Sequence, residues 1–276
     1  MCVVLNISRS GFYKWLNEKL KETSHQKRRR ALLLRITSIF TDSYRRYGSP
    51  KITKILRKEG WTISERLVGQ IMGEHGLRSC VSRKFRVNTT DSNHDLAIAP
   101  NVLNQQFKAT SPDEVWMADI TYIPCREGRL YLASIMDLYT RRIVGWKLSD
   151  RMTTDLVLAA LEQAYASDAP SEGVLHHSDR GSQYASDAYR ERLAQYGMKA
   201  SMSRKGNCYD NACIESFHSV LKKEFIYCTK FRTKAQAHQA MFEYIELFYN
   251  RKRIHGSLDY LSPEQFKSQF YNKKDK

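Results

Sequence analysis

VWMADITYIP, residues 115–124, sets one carboxylate, Asp119, among β-branched and aromatic neighbours. That texture predicts a strand, and two stretches of the same kind follow, RLYLASIMDLY at 129–139 and RIVGWKL at 142–148. Turn residues such as Glu127-Gly128 separate them, so the three are expected to form an antiparallel meander. TTDLVLAALEQAYA at 153–166 then reads as a helix capped by Thr153 or Thr154. GVLHHSD at 173–179 is a short buried strand. A helix over 186–196, a strand over Met198–Met202, a glycine-containing loop and helices over 210–225 and 232–250 complete the pattern. This order predicts an α/β layer architecture, a mixed sheet flanked by helices.

Upstream, the chain is helical. CVVLNISRSGFYKWL, residues 2–16, reads as helix, turn, helix, with Ser8 as a cap and the first helix beginning upstream. KRRRALLLRITSIF at 27–40 is a basic, amphipathic helix. Tyr47-Gly48-Ser49-Pro50 makes a turn into a helix over 50–58, where Pro50 suits the first turn. Ser64 caps a third helix running to about His75, with Leu67, Val68, Ile71 and Met72 on its apolar face. The expected divisions are an arm over 1–26, a basic helix-turn-helix-like DNA-binding domain over 27–92, a polar linker over 93–108 and a core with a helical tail over 109–270.

Charge supports the DNA-binding reading. The net charge is +16, yet residues 1–92 hold 20 Lys and Arg against 7 Asp and Glu, while the rest hold 25 against 22. An excess this concentrated is the footprint of a polyanion partner. The six cysteines form no C-x-x-C pair, which speaks against a zinc ribbon and for reduced thiols. No apolar run spans a bilayer and no signal peptide opens the chain, so a cytoplasmic, nucleoid-associated protein without a membrane partner is expected.

Three carboxylates occupy informative places: Asp119 in mid-strand, Asp179 at a strand end before Arg180-Gly181, and Glu215 on the helix after the glycine loop. A carboxylate in an apolar strand is costly unless paired or bound to a metal. Three oxygen donors without His or Cys suit a hard cation, Mg²⁺ above all. Asp137, in SIMDLY, is assigned a structural or supporting role, and His176 and His177 hydrogen-bonded roles near the sheet edge. Gln183 and Asn211 either touch DNA or orient a carboxylate.

The segments WMADITYI around Asp119, HSDRGSQY around Asp179 and DNACIESFH around Glu215 resemble DDE transposases and retroviral integrases. Thirty-five residues lie between Asp179 and Glu215, which matches the D-D-35-E spacing, and Lys222 stands seven after the glutamate. The tail Tyr249, Asn250, Arg253, His255, Leu258 with Ser262-Pro263 resembles the second-reading-frame product of the bacterial insertion sequence three (IS-three) family. The resemblance implies a ribonuclease-H-like core and a transposase that cuts transposon ends and joins the freed 3′-hydroxyl to another phosphodiester. It implies Asp119, Asp179 and Glu215 as catalytic residues and ligands of a two-ion Mg²⁺ site, with Mn²⁺ as a substitute. Its DNA contacts would be Lys222, Arg204, Lys205, Arg253 and His255, although the sequence leaves Arg253 and His255 equally able to pin the tail to the core. Implied partners are double-stranded DNA at terminal inverted repeats and target sites, further copies of the chain, and a fused or separate upstream-frame helix-turn-helix product. The competing readings are a non-catalytic DNA-binding regulator and a simple ribonuclease-H-like nuclease.

Overall fold

The computed structural model describes residues 2, 4–19, 22–80 and 96–274. The chain divides into two compact units, Met1–Ser79 and Cys80–Lys276. The expected boundary at residue 92 and the first linker residues, 93–95, lie outside the described residues.

The first unit contains α1 (Arg9–Lys19), α2 (Ser24–Asp42), α3 (Ser49–Lys58) and α4 (Glu65–Glu74). The helix expected before Ser8 does not form among the described residues. Ile7 N–H instead closes a turn on the Cys2 carbonyl with Asn6 at φ 50°, and so short a stretch cannot nucleate a helix. The Ser8 hydroxyl accepts from Gly11 N–H at 3.0 Å at the start of α1. α2 begins earlier than its apolar pattern because Thr23 and Gln26 form a reciprocal capping box. Ser64 caps α4 through Leu67 N–H. Ile36, Ile39 and Phe40 of α2, Ile52 and Leu56 of α3, and Val68, Ile71 and Met72 of α4 are buried. These positions fall at helical spacing, which is why three short helices can share one small core.

The second unit is built on β1 (Val115–Cys125), β2 (Gly128–Asp137), β3 (Ile143–Ser149), α5 (Thr154–Asp168), β4 (Leu175–Ser178), α6 (Ser182–Ala185), α7 (Asp187–Gln195), β5 (Lys199–Met202), α8 (Ala212–Glu224), α9 (Lys234–Phe242) and α10 (Pro263–Lys274). The sheet order is β3-β2-β1-β4-β5. β1, β2 and β3 form the antiparallel meander, while β4 and β5 join in parallel. This is the expected mixed sheet flanked by helices. Trp116 and Ala118 of β1 pack with Leu156, Ala160 and Ala164 of α5 and Tyr189 and Leu193 of α7. The alternate residues Met117 and Asp119 face the opposite side, where α8 lies against β1.

Gly145 lets α5 approach β3 closely. A Cβ there would stand 2.3 Å from the Ala160 carbonyl oxygen and 2.7 Å from Ala164 Cβ. Gly145→Ala is therefore expected to cost about 1–3 kcal/mol by overpacking. Thermal unfolding should show a melting point several degrees lower, and an unchanged one would contradict the close contact.

The expected linker is pinned in its described part. Val102 and Leu103 N–H groups donate to Ser201 Oγ at 2.9 and 3.2 Å, and Leu103 is buried. The helix expected over 232–250 changes winding: α9 ends at Phe242 and a π-helical segment follows over Glu243–Tyr249. It buries Tyr244, Ile245, Phe248 and Tyr249 and delivers Asn250 to β3. There the Asn250 side chain accepts from Ile143 N–H at 2.9 Å and donates to the Ile143 carbonyl at 3.0 Å. Among the described residues no helix is long and apolar enough to cross a membrane.

Candidate functional site

β1 and β4 run parallel, with Ala118 paired to Ser178. The next residues, Asp119 and Asp179, therefore leave the ladder side by side, on strands about 4.8 Å apart. This is the carboxyl end of the parallel part of the sheet, where open α/β sheets bind ligands.

Each carboxylate is held. Asp119 Oδ1 accepts from Ile120 N–H at 2.8 Å, and its Oδ2 lies 3.2 Å from His218 Nδ1. Asp179 Oδ1 accepts from Gly181 N–H at 2.9 Å, an Asx-type turn that ends β4. A Cβ at Gly181 would sit 3.1 Å from that same oxygen, so the turn closes best without a side chain.

α8 carries Glu215, and spacing explains its docking. Asn211, Glu215, His218 and Lys222 are separated by four, three and four residues, so they share one face. Asn211 Nδ2 donates to the Ala118 carbonyl at 3.3 Å, His218 meets Asp119, and Lys222 Nζ lies 4.8 Å from the centre of the Tyr122 ring. The stripe tracks β1 over residues 118–122. Burial pushes the Lys222 ammonium below its usual pKa, and the Asp119 charge acts against that shift. Glu215 is exposed. Among the described residues no group of three or more His, Cys, Asp and Glu side chains is gathered tightly enough to cage a metal ion.

Tyr184 Oη and Asn211 Oδ1 are buried and have no hydrogen-bond partner among the described residues. Burial pushes the Tyr184 hydroxyl well above its ordinary pKa, with smaller contributions from Tyr189, Asp119 and Asp179. Both aspartates thus act on one unsatisfied hydroxyl. An all-oxygen donor set beside orphaned polar atoms fits a hydrated hard cation.

Several expected roles change. Arg253, expected against DNA, is buried and forms two 2.8 Å hydrogen bonds to Glu224 at the end of α8. It pins the tail to the core. The His255 ring stands edge-on to Tyr249 at 5.0 Å, and its backbone bridges Leu261. Arg204 is half exposed, but its backbone N–H, Nε and Nη2 all donate to Asp210. Asp210 is fully buried, also accepts from Asn101 and Gln105, and is held well below the usual carboxylate range, chiefly by Arg204. Lys205 is exposed. Asp137 keeps the structural role expected of it, as a turn anchor accepting from Asp113 N–H at 3.1 Å and Thr140 N–H at 2.9 Å.

His177 engages Ser201 and Ser203 through its two ring nitrogens, and His176 meets the Tyr189 hydroxyl. Burial lowers them to about 4 and about 3, so both are neutral at pH 7. Gln183 Nε2 donates to the Met152 carbonyl.

Sequence reasoning passed over His218, Ser134, Tyr184 and Glu224. Glu224 carried a signal: with Phe217 and Leu221 it continues an apolar helix face, where a charge needs a partner. His218 lies three residues after Glu215, on the inward stripe. Ser134 carried none, because it matters only through the β1–β2 register.

The family models agree with this geometry. Two models described as "Integrase core domain" match residues 109–208 and 215–270, and an "HTH-like domain" model matches 27–85. The family models define an integrase-core polynucleotidyl transferase that binds DNA. The chain is 42% identical to a 31 kDa protein of insertion element IS600 from Shigella sonnei, covering 98% of both chains. It is 44% identical to the transposase of insertion sequence element IS904 from Lactococcus lactis subsp. lactis (strain IL1403), covering 89% of this chain and 97% of that one. It is 40% identical to transposase InsF of insertion sequence IS3A from Escherichia coli (strain K12), covering 97% and 93%. The chain belongs to the IS3 family of insertion-sequence transposases. Among solved structures, the HTLV-2 integrase catalytic core domain in complex with magnesium is 15% identical, covering 58% of this chain and 99% of that one, with a TM-score of 0.45. A simian T-cell lymphotropic virus intasome structure is 14% identical, covering 84% and 74%, with a TM-score of 0.49.

Proposed function

We propose that Asp119, Asp179 and Glu215 are the catalytic residues of this transposase and hold Mg²⁺ as a two-ion site, which Mn²⁺ can also fill. The observation that carries the reading is that Asp119 and Asp179 each directly follow the last residue pair, Ala118 and Ser178, of the parallel β1–β4 ladder. Glu215 belongs to the helix stripe laid on the same stretch of β1. Bound cations supply positive charge against the attacking and leaving oxygens of an in-line displacement at phosphorus. The chain's own work is to orient three carboxylates and to hold the phosphodiester nearby. Water attack at the transposon end breaks the bond to the leaving 3′-oxygen and frees a 3′-hydroxyl. That hydroxyl attacks a target phosphodiester, and one new bond replaces one old bond, so no covalent enzyme intermediate is needed.

Lys222 and Lys205, with the outer rim of Arg204 and the His255 ring, are proposed to meet phosphate. Arg253 is withdrawn from that role. The basic first unit recognises the terminal repeats, and at least two copies assemble to hold two ends in the bacterial cytoplasm, on the nucleoid. An upstream-frame helix-turn-helix product remains the proposed accessory partner.

The test is a labelled terminal-repeat duplex incubated with the protein and Mg²⁺. Nicked and strand-joined products are expected, both lost on chelation and restored by Mn²⁺. Nicking without joining would favour the simple nuclease, and binding without either product the regulator. DNA affinity should fall steeply with salt, by about a thousandfold between roughly 50 and 200 mM. A flat response would overturn the electrostatic part of the reading.

A further inference from the structure

We propose that His218 is a positioning residue that fixes the Asp119 carboxylate through a buried chain running Ser134, His218, Asp119. The proposal rests on the assignment of Asp119 as a cation ligand.

The chain is read from its contact distances. Ser134 stands directly opposite Asp119 in the β1–β2 register and is wholly buried. Its Oγ lies 2.7 Å from His218 Nε2, while its alternative acceptor, the Asp119 carbonyl, is 3.5 Å away. In the proposed chain the hydroxyl proton goes to the nearer acceptor, Nε2. The ring proton is then on Nδ1, 3.2 Å from Asp119 Oδ2. His218 itself is only 5% exposed, so water has little access to replace either partner.

Two donors from different directions now hold one carboxylate. Ile120 N–H engages Oδ1 from within β1, and His218 engages Oδ2 from α8. Rotation of the carboxylate about its terminal bond would break both contacts. The remaining lone pairs consequently keep one heading. The same contact also ties α8 to β1 three residues from Glu215, so one imidazole sets both the angle of a ligand and the seat of the helix carrying another. Hydrogen-bonded supports of this kind typically alter metal affinity by about 10–100-fold when removed.

The experiment is Mn²⁺ binding to the full chain, followed by the electron paramagnetic resonance signal of free Mn²⁺, with strand cleavage measured in parallel. Four variants are compared: His218→Leu, His218→Asn, Ser134→Ala and Asp119→Asn. His218→Leu keeps apolar bulk and is expected to weaken Mn²⁺ binding by about 10–100-fold. His218→Asn can place its amide N–H where Nδ1 stood and is expected to restore most of the affinity. A purely structural role would make Asn no better than Leu, and that result would overturn the proposal. Histidine-selective ¹⁵N spectra should show the Nδ1–H tautomer for His218 in wild type and a shift toward Nε2–H in Ser134→Ala. An Nε2–H tautomer in wild type would also overturn it. If Asp119→Asn binds Mn²⁺ and cleaves DNA as wild type does, the assignment of Asp119 fails and this inference falls with it. If Asp119→Asn loses both while His218→Leu keeps both, only the inference fails.

Discussion

Asp119→Asn is expected to abolish strand cleavage and strand joining together, by at least about a thousandfold, or roughly 4 kcal/mol of transition-state stabilisation. The substitution keeps the size and the hydrogen-bonding oxygen of the side chain but removes its charge. Asp119 has a 16% exposed side chain and receives Ile120 N–H on one oxygen. Both features survive in asparagine, so the fold should stay intact and melting should move little. What disappears is the anion that lies beside Asp179 at the end of the parallel ladder. Two neighbouring carboxylates repel unless positive charge lies near them, and the proposed cation would supply such charge. The measurement is single-turnover cleavage and joining on a terminal-repeat duplex, with DNA affinity and circular dichroism alongside. Retained joining with a normal fold would remove Asp119 from the chemistry.

Arg253→Met should strongly destabilise the second unit. It strips the partner from Glu224, whose carboxylate is buried with it and bonded to it twice. Breaking a buried ion pair from one side costs about 3–5 kcal/mol, because the remaining charge stays buried without its matched counter-charge. For a domain of this size that corresponds to a fall in melting temperature of roughly 10 °C. Glu224→Leu combined with Arg253→Met should recover much of the loss, since two apolar side chains can replace a matched pair. A double variant no more stable than the single one would deny the coupling. The salt dependence of DNA binding provides a second reading. A phosphate-contacting arginine removes about one unit from the salt slope when deleted. Arg253→Met should leave that slope unchanged.

Much of the fold was legible because strands and helices announce themselves by period. VWMADITYIP, RLYLASIMDLY and RIVGWKL became β1, β2 and β3, and GVLHHSD became β4. The places of Asp119 and Asp179 followed from that pattern, since mid-strand and strand-end positions survive small errors in boundary. Register did not follow. That Ser134 faces Asp119 depends on which residues close the turn between β1 and β2, at Cys125–Gly128, and hydrophobic pattern does not fix that. The role of Arg253 was open for a similar reason. An arginine in a basic protein looks like a phosphate contact until its long-range partner, 29 residues away, is seen. The π-helical turn over Glu243–Tyr249 was hidden because its apolar residues fit an ordinary helix equally well.

Asn250 has a consequence in time as well as in space. β3 is an outer strand of the sheet, and the Asn250 amide occupies both backbone groups of Ile143 as one residue of an added strand would. The ribosome releases β3 roughly a hundred residues before Asn250 emerges. At synthesis rates of about 5–20 residues per second, that sheet margin stays open for several seconds. During that interval it is a surface on which another nascent chain could pair. The closing asparagine thus acts as a late latch, and chains ending short of residue 250 should be the ones that clump.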